Sequence, residues 1–127
     1  MATNKKVFTH EQATKTLPLV RQIVADILKT GQAIRERSVD MERPEEDPEI
    51  IRLMDMLDEL FDEIEDLGCY YKDWNFTVGL VDFPARVNGK DALFCWRSDE
   101  ETIEYFHDEE SGYSGRRPLS KEAKGVA

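Results

Sequence analysis

The sequence predicts one α+β domain: a long antiparallel helix hairpin packed on a small antiparallel sheet of three to four strands. Two stretches in the first half carry apolar residues at the 3-then-4 spacing of an amphipathic helix. In the second half, Asn88-Gly89 separates two runs that read as strands. At 127 residues the chain is long enough for one core and too short for two ordinary domains. Residues 7–119 are expected to form the ordered core and 120–127 a frayed tail.

Thr9-His10-Glu11-Gln12 has the form of a capping box, with Thr at the N-cap and Gln three residues on, so a helix should begin there. Pro18 removes one N–H a turn later, which predicts a break near Thr16 and a fresh helix from Leu17. Leu17, Val20, Val24, Ile27 and Ile34 then line one face, with Gly31 in the open slot. Residues 38–47 form the connector. Asp47-Pro48 supplies an N-cap and a first-turn proline for the second helix, which should run to about Leu67 and end at Gly68. Its apolar set is Ile50, Leu53, Leu57, Leu60, Ile64 and Leu67, widened by Ile51, Met54, Met56 and Phe61. A stripe that broad predicts more than one packing neighbour. The second helix carries eight acids and one base between Glu49 and Asp66, whereas residues 11–37 carry five bases and three acids. Opposite charges should therefore flank the seam, each exposed pair contributing only about 0.2–1 kcal/mol.

After Gly68, Cys69 to Lys72 reads as a short strand, Leu80–Val87 and Lys90–Arg97 as a hairpin, Thr102–His107 as another strand, and Gly112–Pro118 as a loop. A two-residue turn at Asn88-Gly89 sets the pairing: Val87 opposite Lys90, Asp82 opposite Cys95, Val81 opposite Trp96. Alternation then divides the sheet. Val81, Phe83, Ala85, Ala92, Phe94 and Trp96 share an apolar face for the helices, while Asp82, Arg86, Asp91, Cys95 and Arg97 share a polar one. If Arg97 faces Ile103 across the next loop, Tyr105 and His107 join the polar face. A one-residue slip sends both to the core.

That face holds the candidate chemistry. Asp82, Arg86, Cys95, Arg97, Tyr105, Arg116 and Arg117 are candidate ligand-binding residues, since arginines bind anions through forked donors. His107, Asp82, Asp108, Glu109 and Glu110 are candidate metal ligands, and a divalent metal is the one cofactor considered. Asp82 with His107 would also suit proton transfer. The competing reading makes His107 a strand-end histidine beside a solvated acidic turn, and Cys95 an inert packed thiol. The carboxylate ridge Asp55, Asp58, Glu59, Asp62 and Asp66 reads as a solvated face, because a di-metal bundle would also need histidines on the helix.

A net charge of −10 disfavours nucleic acid and anionic membrane as partners. No apolar run is long enough to span a bilayer, and Met1 to Lys6 does not read as a secretory signal. The two cysteines, Cys69 and Cys95, show no disulfide or CxxC pattern, so the expected compartment is the cytoplasm. There is no GxSxG, P-loop or GxGxxG motif, and no residue is assigned a catalytic role.

Several strings together resemble a known family. They are Phe8-Thr9 through Leu17-Pro18-Leu19-Val20, Lys72-Asp73, Gly79-Leu80-Val81-Asp82-Phe83-Pro84-Ala85-Arg86, Cys95-Trp96-Arg97, and His107 through Gly112-Tyr113-Ser114-Gly115-Arg116-Arg117-Pro118. Over about Val7 to Leu119 the chain is similar to the bacterial family catalogued as domain of unknown function 2203. Phe106 stands where a Trp is expected before the His, and Ser98-Asp99 where a Gly-containing turn is expected. The resemblance implies no activity, but it directs attention to the polar face and its flanking loop. Two functions are therefore expected as alternatives. One is a non-catalytic interaction or scaffold protein, homodimeric through the broad helix face. The other is a small-ligand or metal site, with or without enzymatic activity, around Asp82, Cys95 and His107.

Overall fold

The computed structural model describes residues 6–73 and 75–125. Met1 to Lys5, which fall in the stretch read as lacking a signal, lie outside the described residues, as do Val126 and Ala127 of the expected tail.

Helix α1 spans His10–Ser38 and starts on the capping box: Gln12 N donates to Thr9 Oγ1 at 3.0 Å, and Thr9 N donates to Gln12 Oε1 at 2.9 Å. The break expected at Pro18 is absent, and α1 runs through it. Two features offset the proline. Pro18 and Thr14 are on the exposed side, so the carbonyl deprived of its donor faces water. Ala13, Leu17 and Val20 are buried on the other side and hold both halves in one register. Helix α2 spans Pro48–Asp66, with Asp47 Oδ2 accepting from Ile50 N at 3.0 Å. It ends as the glycine predicts. Gly68 has φ +90°, Gly68 N donates to Glu65 O and Cys69 N to Ile64 O, so the last carbonyls are satisfied. The two helices pack on each other through their apolar faces, and Arg37 near the end of α1 grips Asp47 at 2.6 Å. No helix among the described residues is long and apolar enough to cross a membrane.

The sheet has five antiparallel strands rather than three to four: β1 Tyr70–Tyr71, β2 Leu80–Val87, β3 Lys90–Arg97, β4 Tyr105–His107 and β5 Arg117–Pro118, in that spatial order. Strand β4 is shorter than the expected Thr102–His107 run. The stretch expected as a loop holds a 3-10 turn at Gly112–Gly115 and then β5. A two-residue strand containing proline has too little alternation to be seen in sequence. Residues 121–125 form a turn, in which Lys124 Nζ lies 2.5 Å from Glu104 Oε1.

The hairpin has the anticipated register. Asn88 and Gly89 both take positive φ, 54° and 78°, as a type I′ turn requires, and Asp82 pairs with Cys95 and Val81 with Trp96. Val81, Phe83, Ala85, Ala92, Phe94 and Trp96 are buried on the helix side. There Phe8 meets Phe83 edge-on at 5.3 Å, and Arg21 of α1 lies over the Trp96 ring. The loop between β1 and β2 docks on α1. Gln32 and Arg35 donate to the carbonyls of Phe76 and Asn75 at 3.0 and 2.6 Å. The Phe76 ring lies so close to Gly31 that any Cβ there would overlap it.

Candidate functional site

Strand β4 pairs with β3 so that Leu93 faces His107 and Cys95 faces Tyr105. This is the register in which Tyr105 and His107 share the face of Asp82 and Cys95. Three strands therefore contribute one side chain each: Asp82 from β2, Cys95 from β3, His107 from β4. The three are 0–1% exposed, and their ligand atoms all lie within 4.8 Å of one another.

Hydrogen bonding orients the imidazole. His107 Nδ1 lies 2.7 Å from the carbonyl oxygen of Asp108, and a carbonyl only accepts, so Nδ1 carries the proton. In the neutral ring, Nε2 then presents a lone pair, and it points at Asp82 Oδ1 at 3.1 Å. Two acceptors face each other. Such a contact needs either a second proton or a metal cation between the two atoms. The Asp108 carbonyl is itself set by a tight turn, because Ser111 N donates to the Asp108 carboxylate at 2.7 Å. The Ser111 side chain, then this backbone amide, hold the Asp108 carboxyl below the usual aspartate value. Asp108 thus acts through its backbone, and its carboxylate serves the turn.

The other oxygen of Asp82 faces Lys72, whose Nζ lies 2.5 Å from Oδ2. The two are close in distance but off hydrogen-bond alignment, so fully buried Oδ2 holds no hydrogen bond. Lys72 escaped the residue-level reading. Tyr70 pairs with Asp82, which places Lys72 diagonally across from it, but no short turn fixes the β1 register from sequence. Its one sequence signal was the Lys72-Asp73 string. Cys95 is a free thiol whose pKa is raised, first by burial and then by the Asp82 charge, with Arg116 acting weakly in the opposite direction.

The remaining candidates divide. Arg116 folds over the face, donates to the Cys95 carbonyl at 3.0 Å, lies 4.0 Å over the Tyr105 ring and pairs with Glu100. Arg97 is held by Asp99 and the Tyr113 hydroxyl, each at 2.6 Å. Both arginines thus have fixed partners, although the buried Nε of Arg116 holds no hydrogen bond. Arg86 is exposed at the hairpin end, bonded to the Gly89 carbonyl, and Arg117 lies over Phe106 on the opposite face. Neither joins the cluster. Glu110 is exposed. Glu109 lines a cleft of 480 Å3 whose wall also includes Tyr70, Lys72, Asp82, Asp91 and Leu93. Asp82 is the member of the buried trio that reaches this cleft.

The family model described as an uncharacterized conserved protein, DUF2203, matches residues 6–119. No curated protein and no solved structure matches the chain.

Proposed function

The chain belongs to the DUF2203 family, and from that premise we propose that it is a metal-binding protein, with Asp82, Cys95 and His107 holding a divalent transition ion of zinc type. The carrying observation is the orientation of His107. Its Nδ1–H is held by a backbone carbonyl, and its Nε2 is aimed at a buried carboxylate. Metal-ligating histidines are commonly fixed in this way by an outer partner. The 3.1 Å separation of Nε2 and Oδ1 is well inside the roughly 4 Å that two metal–ligand bonds of about 2 Å can span. Nitrogen, thiolate and carboxylate ligands together suit zinc better than magnesium or calcium. Three protein ligands leave a fourth position for water or a small ligand, the composition of an open rather than a structural site.

The test is elemental analysis of protein purified without an affinity tag, followed by zinc titration. One ion per chain is expected, lost in His107→Ala and Cys95→Ser. Absence of bound metal together with no thermal shift on adding zinc would overturn the reading.

A second reading rests on α2. Ile51, Met54 and Met56 are 45, 50 and 39% exposed, a run of large apolar side chains on one helix. It makes the protein a homodimer or an interaction module through that helix. A two-fold contact there would also bring the acidic side chains of α2 together, so the dimer should tighten with salt. Sedimentation at high concentration in 0.5 M salt, still showing a monomer, would remove it.

A further inference from the structure

We infer that Lys72 is the resident counter-cation of the site, and that an incoming metal ion must displace it from Asp82. The inference rests on the metal reading above and adds how that site is loaded. Its basis is an asymmetry between two partners. The Asp82 side chain is 1% exposed and sits on a central strand, whereas the Lys72 side chain is 42% exposed and lies just past the end of β1. Asp82 cannot leave; Lys72 can.

Among the described residues, Lys72 is the one base lining the cleft, together with Asp82, Asp91 and Glu109. The cleft is therefore acidic overall and suits the approach of a cation, and its one buried wall residue from the trio is Asp82. At that wall the ammonium already stands on Oδ2. A divalent ion bridging Asp82, Cys95 and His107 would put two cations on one carboxylate in a site where charges are poorly screened. The mobile partner yields. Once released, the half-exposed Lys72 ammonium is free to face water. The Arg116 guanidinium cannot substitute for Lys72, because it is committed to Glu100 and stacked on Tyr105.

The alternative is that Lys72 stays on Oδ2 while the metal takes Oδ1, as an outer group that orients the ligand. The two roles predict opposite results. Displacement predicts that Lys72→Met binds zinc at least about tenfold more tightly than wild type in moderate salt. Orientation predicts weakening, by about 10–100-fold for loss of an outer partner. Zinc affinity is measured by competition with a chromophoric chelator, on Lys72→Met and on Lys72→Gln. A second readout needs no variant. In wild-type protein the acylation rate of Lys72 by an N-hydroxysuccinimide ester, followed by peptide mass spectrometry, should rise several-fold on zinc loading. Tighter binding together with faster acylation supports displacement. Unchanged or weaker binding, or acylation that does not rise, overturns it while leaving the metal site standing. Failure of wild type and both variants to bind zinc overturns the metal reading, and displacement with it.

Discussion

Asp82 and His107 stand on strands that are not neighbours, β2 and β4, yet their side chains meet at 3.1 Å beside Cys95 of the strand between them. The contact is fully buried, and Lys72 closes its open end. Removing one member of a buried charged group strands the others.

Asp82→Asn should therefore cost about 3 kcal/mol of stability, at the lower end for a broken buried pair because Lys72 can still reach water. Guanidinium unfolding monitored by fluorescence measures this directly. A loss below about 0.5 kcal/mol would show that the cluster contributes nothing to holding the polar face.

Both thiols should be inert in the native state. Burial pushes the Cys69 thiol up to about 12, and Cys95 is raised by burial and by Asp82. Thiolate is the reactive form, so native protein at pH 8 should react with an aromatic disulfide reagent only at the rate of unfolding. Rapid labelling of Cys95 in folded protein would refute its standing as an inert, packed thiol.

Gly31 should resist replacement even by the best helix former. Alanine gains about 1 kcal/mol of helix propensity over glycine. Its Cβ, however, would stand 2.3 Å from Phe76 Cγ, and the Phe76 carbonyl is held by Gln32. Overpacking of this kind costs about 1–3 kcal/mol, so Gly31→Ala should be net destabilising. In a Phe76→Ala background the same change should become stabilising. An additive double-mutant cycle in urea would refute the contact.

Asp47 should make the start of α2 acid-sensitive. The Arg37 side chain, then the Ile50 amide, hold its pKa below the ordinary 3.8. A depressed carboxyl stabilises the fold above its unfolded pKa and loses that contribution as pH falls through its folded value. Asp47→Asn should thus melt below wild type at pH 7, with the gap closing below about pH 4. A gap that stays constant to pH 2.5 would exclude the Arg37 link.

The parts of this fold that were legible in sequence are those fixed by short-range chemistry. Thr9 to Gln12, Asp47-Pro48 and Gly68 marked helix ends because each satisfies orphan backbone groups within four residues. The β2–β3 register was readable because two residues at positive φ admit one pairing, and it carried Cys95 to Asp82. What escaped depended on distant partners. Continuity through Pro18 needed the packing of Ala13, Leu17 and Val20. Strand β5 is defined by pairing with β4 rather than by its own composition. Lys72 needed the pairing of β1 with β2, which no short turn fixes. Arg86 and Arg117 were placed near the site by face and by sequence proximity, but the first stays at the hairpin tip and the second crosses to Phe106.

The pairing set at Asn88-Gly89 makes the chain unequally tolerant of changes in length. A residue gained between Ser98 and Glu104 would lengthen a connector and leave every pair in β2, β3 and β4 as it is. A residue gained or lost inside Lys90–Arg97 would invert the strand beyond it, turning Cys95 toward the helices and Trp96 toward the polar side. Through the β3–β4 ladder the same error would part His107 from Asp82. Substitution can tune this site gradually, whereas insertion and deletion in that strand act as an all-or-nothing edit.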